Sequence, residues 1–167
     1  MAKALFVTRQ DISVFTATNG NVDNDKLLPF IFQAQNKHIQ NYLGSDLYNK
    51  LQADIVAGTL AGNYLILVRD YLKPMLEHFT MVEYLPYAGV NISNSGIYTK
   101  NPENSTALTK DHVDSLIENA RNSAQFYTER FLDYIKNNLS LFPEYQSNTS
   151  EDMYPDDVAF STGWVIK

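Results

Sequence analysis

From Thr109 to Leu139, apolar residues return every three or four positions: Val113, Leu116, Ile117, Ala120, Ala124, Tyr127, Phe131, Tyr134, Ile135 and Leu139. That period predicts a single helix over residues 109–138, about 40 Å long at 1.5 Å per residue. A small domain does not need a helix of that length, so it reads as the spine of a bundle or of an interface between copies. In a chain of 167 residues it commits the fold to the mainly α class.

The upstream pattern supplies the other helices. Residues 4–7 fit a short strand, and Thr8-Arg9-Gln10-Asp11 has the Ser/Thr-x-x-acid form that opens a helix. A first long helix is expected over 25–43, with Leu27, Leu28, Ile31, Ala34, Ile39 and Tyr42 as its stripe. Pro29 stands early enough for its missing N–H to cost little. Gly44 is a left-handed stop and Ser45 the cap of a second helix, with Leu47, Tyr48, Leu51 and Ile55 inward and Gly58 at its end. Asn63 is expected to cap a third helical region reaching Tyr87, kinked or divided near 71–73 by Pro74.

Residues 89–108 are polar, and a loop of this length inside a compact domain is usually functional or mobile. Val90-Asn91-Ile92 and Gly96-Ile97-Tyr98 flank Asn94-Ser95 as the two sides of a hairpin would, so this segment reads as an arm. After Leu141-Phe142-Pro143-Glu144-Tyr145 comes a polar stretch in which 147–152 read as flexible. Val158-Ala159-Phe160 and Gly163-Trp164-Val165-Ile166 are apolar again, and their β-prone character at the end of a tether suggests strand addition to a partner. The competing expectation is that the tail folds back on its own subunit. The division is therefore a helical domain over 1–145, with its arm, and an extended docking tail over 146–167. Ile92, Ile97, Tyr98, Val158, Phe160, Trp164, Val165 and Ile166 are the candidate partner-docking residues.

Several function classes are disfavoured. Nineteen acids against thirteen lysines and arginines give a net charge of −6, and no basic cluster of the kind that tight nucleic-acid binding requires is visible. The chain has no cysteine, which excludes disulfides, thiolate metal sites and cysteine nucleophiles. No signal-peptide pattern opens it and no apolar run approaches the roughly 20 residues of a membrane span, so a soluble protein made in a cytosol is expected. No nucleophile elbow, phosphate-binding loop or dinucleotide fingerprint occurs.

The histidines, His38, His78 and His112, are not spaced for one helical face; the first two read as core or interface residues and the third as solvent-facing. Asp111 and Asp114 suit the electropositive start of the long helix, and Glu151-Asp152 and Asp156-Asp157 lack the alternation of a calcium loop. No active site, metal or cofactor is expected.

The segment Asp25-Lys26-Leu27-Leu28-Pro29-Phe30-Ile31-Phe32-Gln33-Ala34-Gln35-Asn36-Lys37-His38-Ile39-Gln40, followed by Tyr42-Leu43-Gly44-Ser45-Asp46-Leu47-Tyr48, resembles the opening of phage head–tail connector (adaptor) proteins. There, a short N-terminal element precedes a helix carrying Ala-Gln and ending in Leu-Gly. Lys73-Pro74, Asn94-Ser95-Gly96-Ile97 and Phe142-Pro143-Glu144-Tyr145 extend the likeness, in the version found in crAss-like and other phages of gut Bacteroidetes.

The resemblance implies a helical bundle with an arm and tail, forming a homo-oligomeric ring, usually a dodecamer, beneath the portal protein. Its expected partners are copies of itself, the portal and an adjacent tail or ring protein. DNA would pass through the channel without specific binding, at the head–tail interface of a virion assembled in the host cytoplasm. The expected role is structural and not enzymatic. The alternative is a helical-bundle binding module or enzyme with a small site near His78, which needs Glu77, His78 and Glu83 to converge although adjacent helical residues diverge by about 100°.

Overall fold

The computed structural model describes residues 4–16, 24–93, 96–99, 109–147 and 149–159. Seven α-helices and one β-hairpin occur among them: α1 (Arg9–Phe15), α2 (Asn24–Ala34), α3 (Gln40–Ala57), α4 (Gly62–Ile66), α5 (Lys73–Tyr84), β1 (Val90–Ser93), β2 (Gly96–Thr99), α6 (Lys110–Asn137) and α7 (Pro143–Gln146). The fold is mainly helical, a bundle as the apolar periods require.

α5 is the central element and packs against α6, α2 and α1, while α7 closes on α3. The core is a single cluster in which Leu43, Leu47 and Leu51 of α3 meet Leu72, Met75 and Leu76 around α5 and Phe131 and Ile135 of α6. Phe131 and Phe142 are fully buried, each stabilising the fold by about 1.5–3 kcal/mol relative to exposure.

Two π turns interrupt the helices. Gln35–Ile39 joins α2 to α3, and Leu67–Leu72 joins α4 to α5. The second immediately precedes α5, whose second residue, Pro74, has no N–H to donate and a ring that crowds the carbonyl four residues back. The expected kink at 71–73 is thus a widened turn. π turns of this kind frequently occur at functional sites.

Several local expectations change. Residues 4–7 form no strand; the buried Gln35 amide accepts from Phe6 N–H at 2.9 Å and donates to Ala4 carbonyl at 2.9 Å, and Gln52 brackets Ala4 from the other side at 2.7 Å twice. Thr8 caps α1 with the reciprocal Asp11 contact the sequence suggested. Asn63 is not a cap: α4 starts one residue earlier, after the extended Ala61.

Gly44 breaks the helical path within α3 at φ 71° and ψ 163°, and Gly58 ends it in the left-handed region. Leu28 faces solvent, 47% exposed. The two strands expected in the arm are present and paired, with Ile92 opposite Ile97 and Asn91 opposite Tyr98; residues 94–95 and 100–108 of the arm lie outside the described residues.

The largest correction concerns the start of the tail. Residues 147 and 149–152 are not a loose tether, because Asp46 anchors their start: its carboxylate accepts from Ser147 Oγ at 2.7 Å, Thr149 N–H and Oγ1 at 2.8 Å each, and Ser150 N–H and Oγ at 3.2 and 2.5 Å. The strap continues across the break in α3. Ser45 N–H donates to Met153 carbonyl at 2.9 Å, Asp156 N–H to Asn41 carbonyl at 2.9 Å, and Tyr42 hydroxyl to Ala159 carbonyl at 2.9 Å. Ser45 spends its hydroxyl on Asp152 of the strap at 2.7 Å. Up to Ala159 the tail folds back on its own subunit.

Among the described residues no single helix is long and apolar enough to cross a membrane. The pair Asp25–Ala57 and Gly62–Tyr87 has the length and composition together, but it is bent by 97°, and its apolar faces form the core.

Candidate functional site

Two polar assemblies flank α5. On one side, the π turn Gln35–Ile39 turns Lys37 and His38 toward Glu83 of α5. Glu83 accepts from Lys37 Nζ at 3.0 Å and Gln33 Nε2 at 2.9 Å, and lies 2.9 Å from His38 Nε2. Burial pushes the Glu83 carboxyl up, and the His38 and Lys37 contacts outweigh it, so its pKa falls below the usual range. His38 stacks on Phe79 at 4.0 Å; burial lowers its pKa and Glu83 only partly opposes this. The cluster is a satisfied tie between α2 and α5.

On the other side, α1, the π turn Leu67–Leu72, α5 and α6 enclose a groove of about 470 Å³ lined by Asp11, Phe15, Arg69, Lys73, Pro74, Glu77, His78, Tyr127 and Arg130. α1 reaches it because Asp11 bonds Lys73 at 3.1 Å. His78 stacks on Tyr127 at 5.3 Å, and burial lowers its pKa. Glu77 is 4% exposed. Burial, with Asp11 nearby, pushes its carboxyl up to about 7 against the weaker pull of Lys73. A second, apolar groove of about 360 Å³ continues past Phe15 and His78 to Met81, Leu85, Leu116 and Ala120.

The adjacency of Glu77 and His78 does not separate them. Both line one groove, because it is wide and bounded by three helices. Glu83 is not with them; it is held by His38, Lys37 and Gln33 on the opposite side of α5. Among the described residues no three acidic or histidine side chains converge to hold a metal. His112 is exposed beside Thr109, with 2.8 Å between Oγ1 and Nδ1.

Of the candidate docking residues, Ile92, Ile97 and Tyr98 share the hairpin. Val158 lies on the strap, 52% exposed, and lines a further cavity with His38 and Phe79. Phe160, Trp164, Val165 and Ile166 lie outside the described residues. Glu77 and His78 are the part of this groove visible in the sequence; Asp11, Arg69, Tyr127 and Arg130, which complete it, come from three other elements.

The model of the Family of unknown function (DUF6712) matches residues 39–153, more than half of the chain. The chain belongs to the DUF6712 family. No curated protein and no solved structure matches it. The DUF6712 match opens at Ile39, the last residue of the first π turn, and closes at Met153, where the strap bonds Ser45. The DUF6712 segment therefore contains the Gly44 break, the part of the strap held by Asp46 and the α5 and α6 walls of the groove, while Pro155, which covers Gly44, lies just beyond it. Asp11 and Phe15, which close the groove from α1, lie outside it.

Proposed function

We propose that this DUF6712 protein is a structural virion component: a head–tail connector ring subunit that docks on the portal and extends the DNA channel of a tailed phage towards the tail. The observation that carries the reading furthest is the uneven burial of α6. One face of its C-terminal half supplies Ala124, Thr128, Phe131, Leu132 and Ile135 to the core, whereas Leu116 in the N-terminal half and Phe126 on the opposite face are 42% and 60% exposed. A 28-residue helix only partly covered by its own domain leaves apolar surface for a neighbour.

In this reading copies pack side by side through α6, the hairpin arm reaches an adjacent ring, and the portal receives the C-terminal segment. A net charge of −6 suits a channel wall past which DNA slides without adhering. No chemistry and no cofactor enter, and the protein is made in the host cytoplasm before joining the virion. The test is electron microscopy of the purified chain mixed with the portal ring from the same source. A closed ring stacked coaxially on the portal is expected; intact portals without added density would sink the reading.

A second reading, a binding module, is favoured by the groove beneath His78. Its catalytic form requires Glu83 beside Glu77 and His78, and Glu83 is engaged elsewhere. What stands is a groove able to take a ligand.

A further inference from the structure

The groove beneath His78 holds several charges, and two of its cations, Arg69 and Lys73, are paired with acids. Arg69 gives Nε and Nη2 to Asp70 at 2.6 and 2.7 Å. Lys73 is 3.1 Å from Asp11, and Arg130 lies 5.2 Å from the centre of the Tyr71 ring. Glu77 differs: it is 4% exposed, faces the same groove, and has no hydrogen-bond or ion-pair partner among the described residues. A carboxyl whose small remaining exposure opens only on this groove, and which has no partner there, is penalised. A cationic donor arriving from outside would satisfy it; an anion would face both Glu77 and Asp11.

We propose that this groove is a socket for a lysine or arginine side chain of a different protein, with the cationic head on Glu77 and the aliphatic stem against Pro74 and Tyr127. Two observations favour a polypeptide over a small free cation. The apolar groove runs on from the socket toward Leu116, and its lip is exposed, Phe15 by 65% and Leu116 by 42%. A small cation fills the socket and leaves that lip in water, whereas a chain with apolar residues beside its basic one covers both. The chain carries −6 overall, and a basic partner is the complementary one. The proposal rests on the second reading above, that this groove binds a ligand, and names that ligand's chemistry.

The experiment titrates the full chain with n-propylguanidinium, with its neutral analogue n-propylurea, with inorganic phosphate and with the peptide acetyl-Leu-Leu-Ala-Arg-amide. NMR follows the Tyr127 ring and the Glu77 carboxyl. Saturable shifts at both are expected with propylguanidinium and not with propylurea, at least tenfold weaker in Glu77→Gln. The peptide is expected to bind at least tenfold more tightly than propylguanidinium. Leu116→Ser should remove that gain and leave propylguanidinium binding unchanged.

Undiminished binding of propylguanidinium by Glu77→Gln overturns the socket. Binding of phosphate alone overturns it too but leaves the groove a ligand site, whereas no binding of any probe removes both readings. Equal affinity for peptide and propylguanidinium overturns the polypeptide in favour of a small cation. Self-association in sedimentation that Glu77→Gln abolishes overturns the different protein in favour of a second copy.

Discussion

Pro155 lies directly on Gly44: a Cβ at residue 44 would stand 2.7 Å from Pro155 Cδ and 2.9 Å from its Cγ. Gly44 also has φ 71° and ψ 163°, a conformation essentially confined to glycine. One residue thus both turns the chain out of its helical path and clears space for the strap that crosses the turn.

Gly44→Ala is expected to destabilise the domain by at least the 1–3 kcal/mol (order of magnitude) of a strained backbone position, with the Pro155 overlap added. Urea unfolding measures it. A loss under about 0.5 kcal/mol, the usual surface range, would show that the strap yields freely at this point.

Asp46→Ala should free the strap without unfolding the bundle, since the core lies elsewhere. Limited proteolysis within 147–156 is expected to accelerate several-fold. The wild-type strap should respond to acid in the same way. The Ser150, Ser147 and Thr149 hydrogen bonds hold the Asp46 carboxyl well below its ordinary value of 3.8, so their contribution is complete above that value and is lost as pH falls through the lower folded one. Equal cleavage rates in wild type and variant would remove Asp46 as the clasp.

Glu77→Gln should flatten the pH dependence of stability. The folded carboxyl titrates at about 7 against an ordinary 4.5, so between those values the folded chain keeps a proton that the unfolded chain has lost, and stability falls as pH rises. The full effect is on the order of 3 kcal/mol. His38 and His78, both lowered by burial, tilt stability the other way below pH 6.5, so the difference between wild type and variant isolates Glu77. The variant should be the more stable above pH 7 in urea unfolding from pH 4.5 to 8. Parallel curves would contradict the buried, unpaired state.

Deleting residues 158–167 should leave the bundle folded, because the Asp46 clasp and the Met153 and Asp156 backbone bonds all precede the cut. Portal association by electron microscopy is expected to disappear. A truncated chain that still stacks on the portal would place the docking element in the arm or on α6.

The long C-terminal helix, the Thr8 cap, the Gly58 stop and the 90–99 hairpin are each written in a handful of neighbouring residues, and each forms where its local pattern predicts. Helical period, reciprocal capping and turn chemistry are satisfied within the segment itself, which is why they could be read without any tertiary information.

The strap and the groove had no such local signature. Residues 147–152 are polar and look mobile because their partner, the Asp46 carboxylate, is about a hundred positions away in the chain. The 4–7 segment has the apolar composition of a strand, yet its backbone bonds to the Gln35 and Gln52 side chains and not to a neighbouring strand. Glu77 and His78 diverge on a helical wheel, yet α1, α5 and α6 bound one groove wide enough to meet both.

By itself the sequence determined the helices, their apolar faces and the hairpin, because those depend on contacts a few residues apart. Which polar groups meet, where the strap up to Ala159 is bound and which carboxyl lines the groove beneath His78 were decided by tertiary packing alone. Such contacts join segments whose spacing in sequence carries no record of their distance in space.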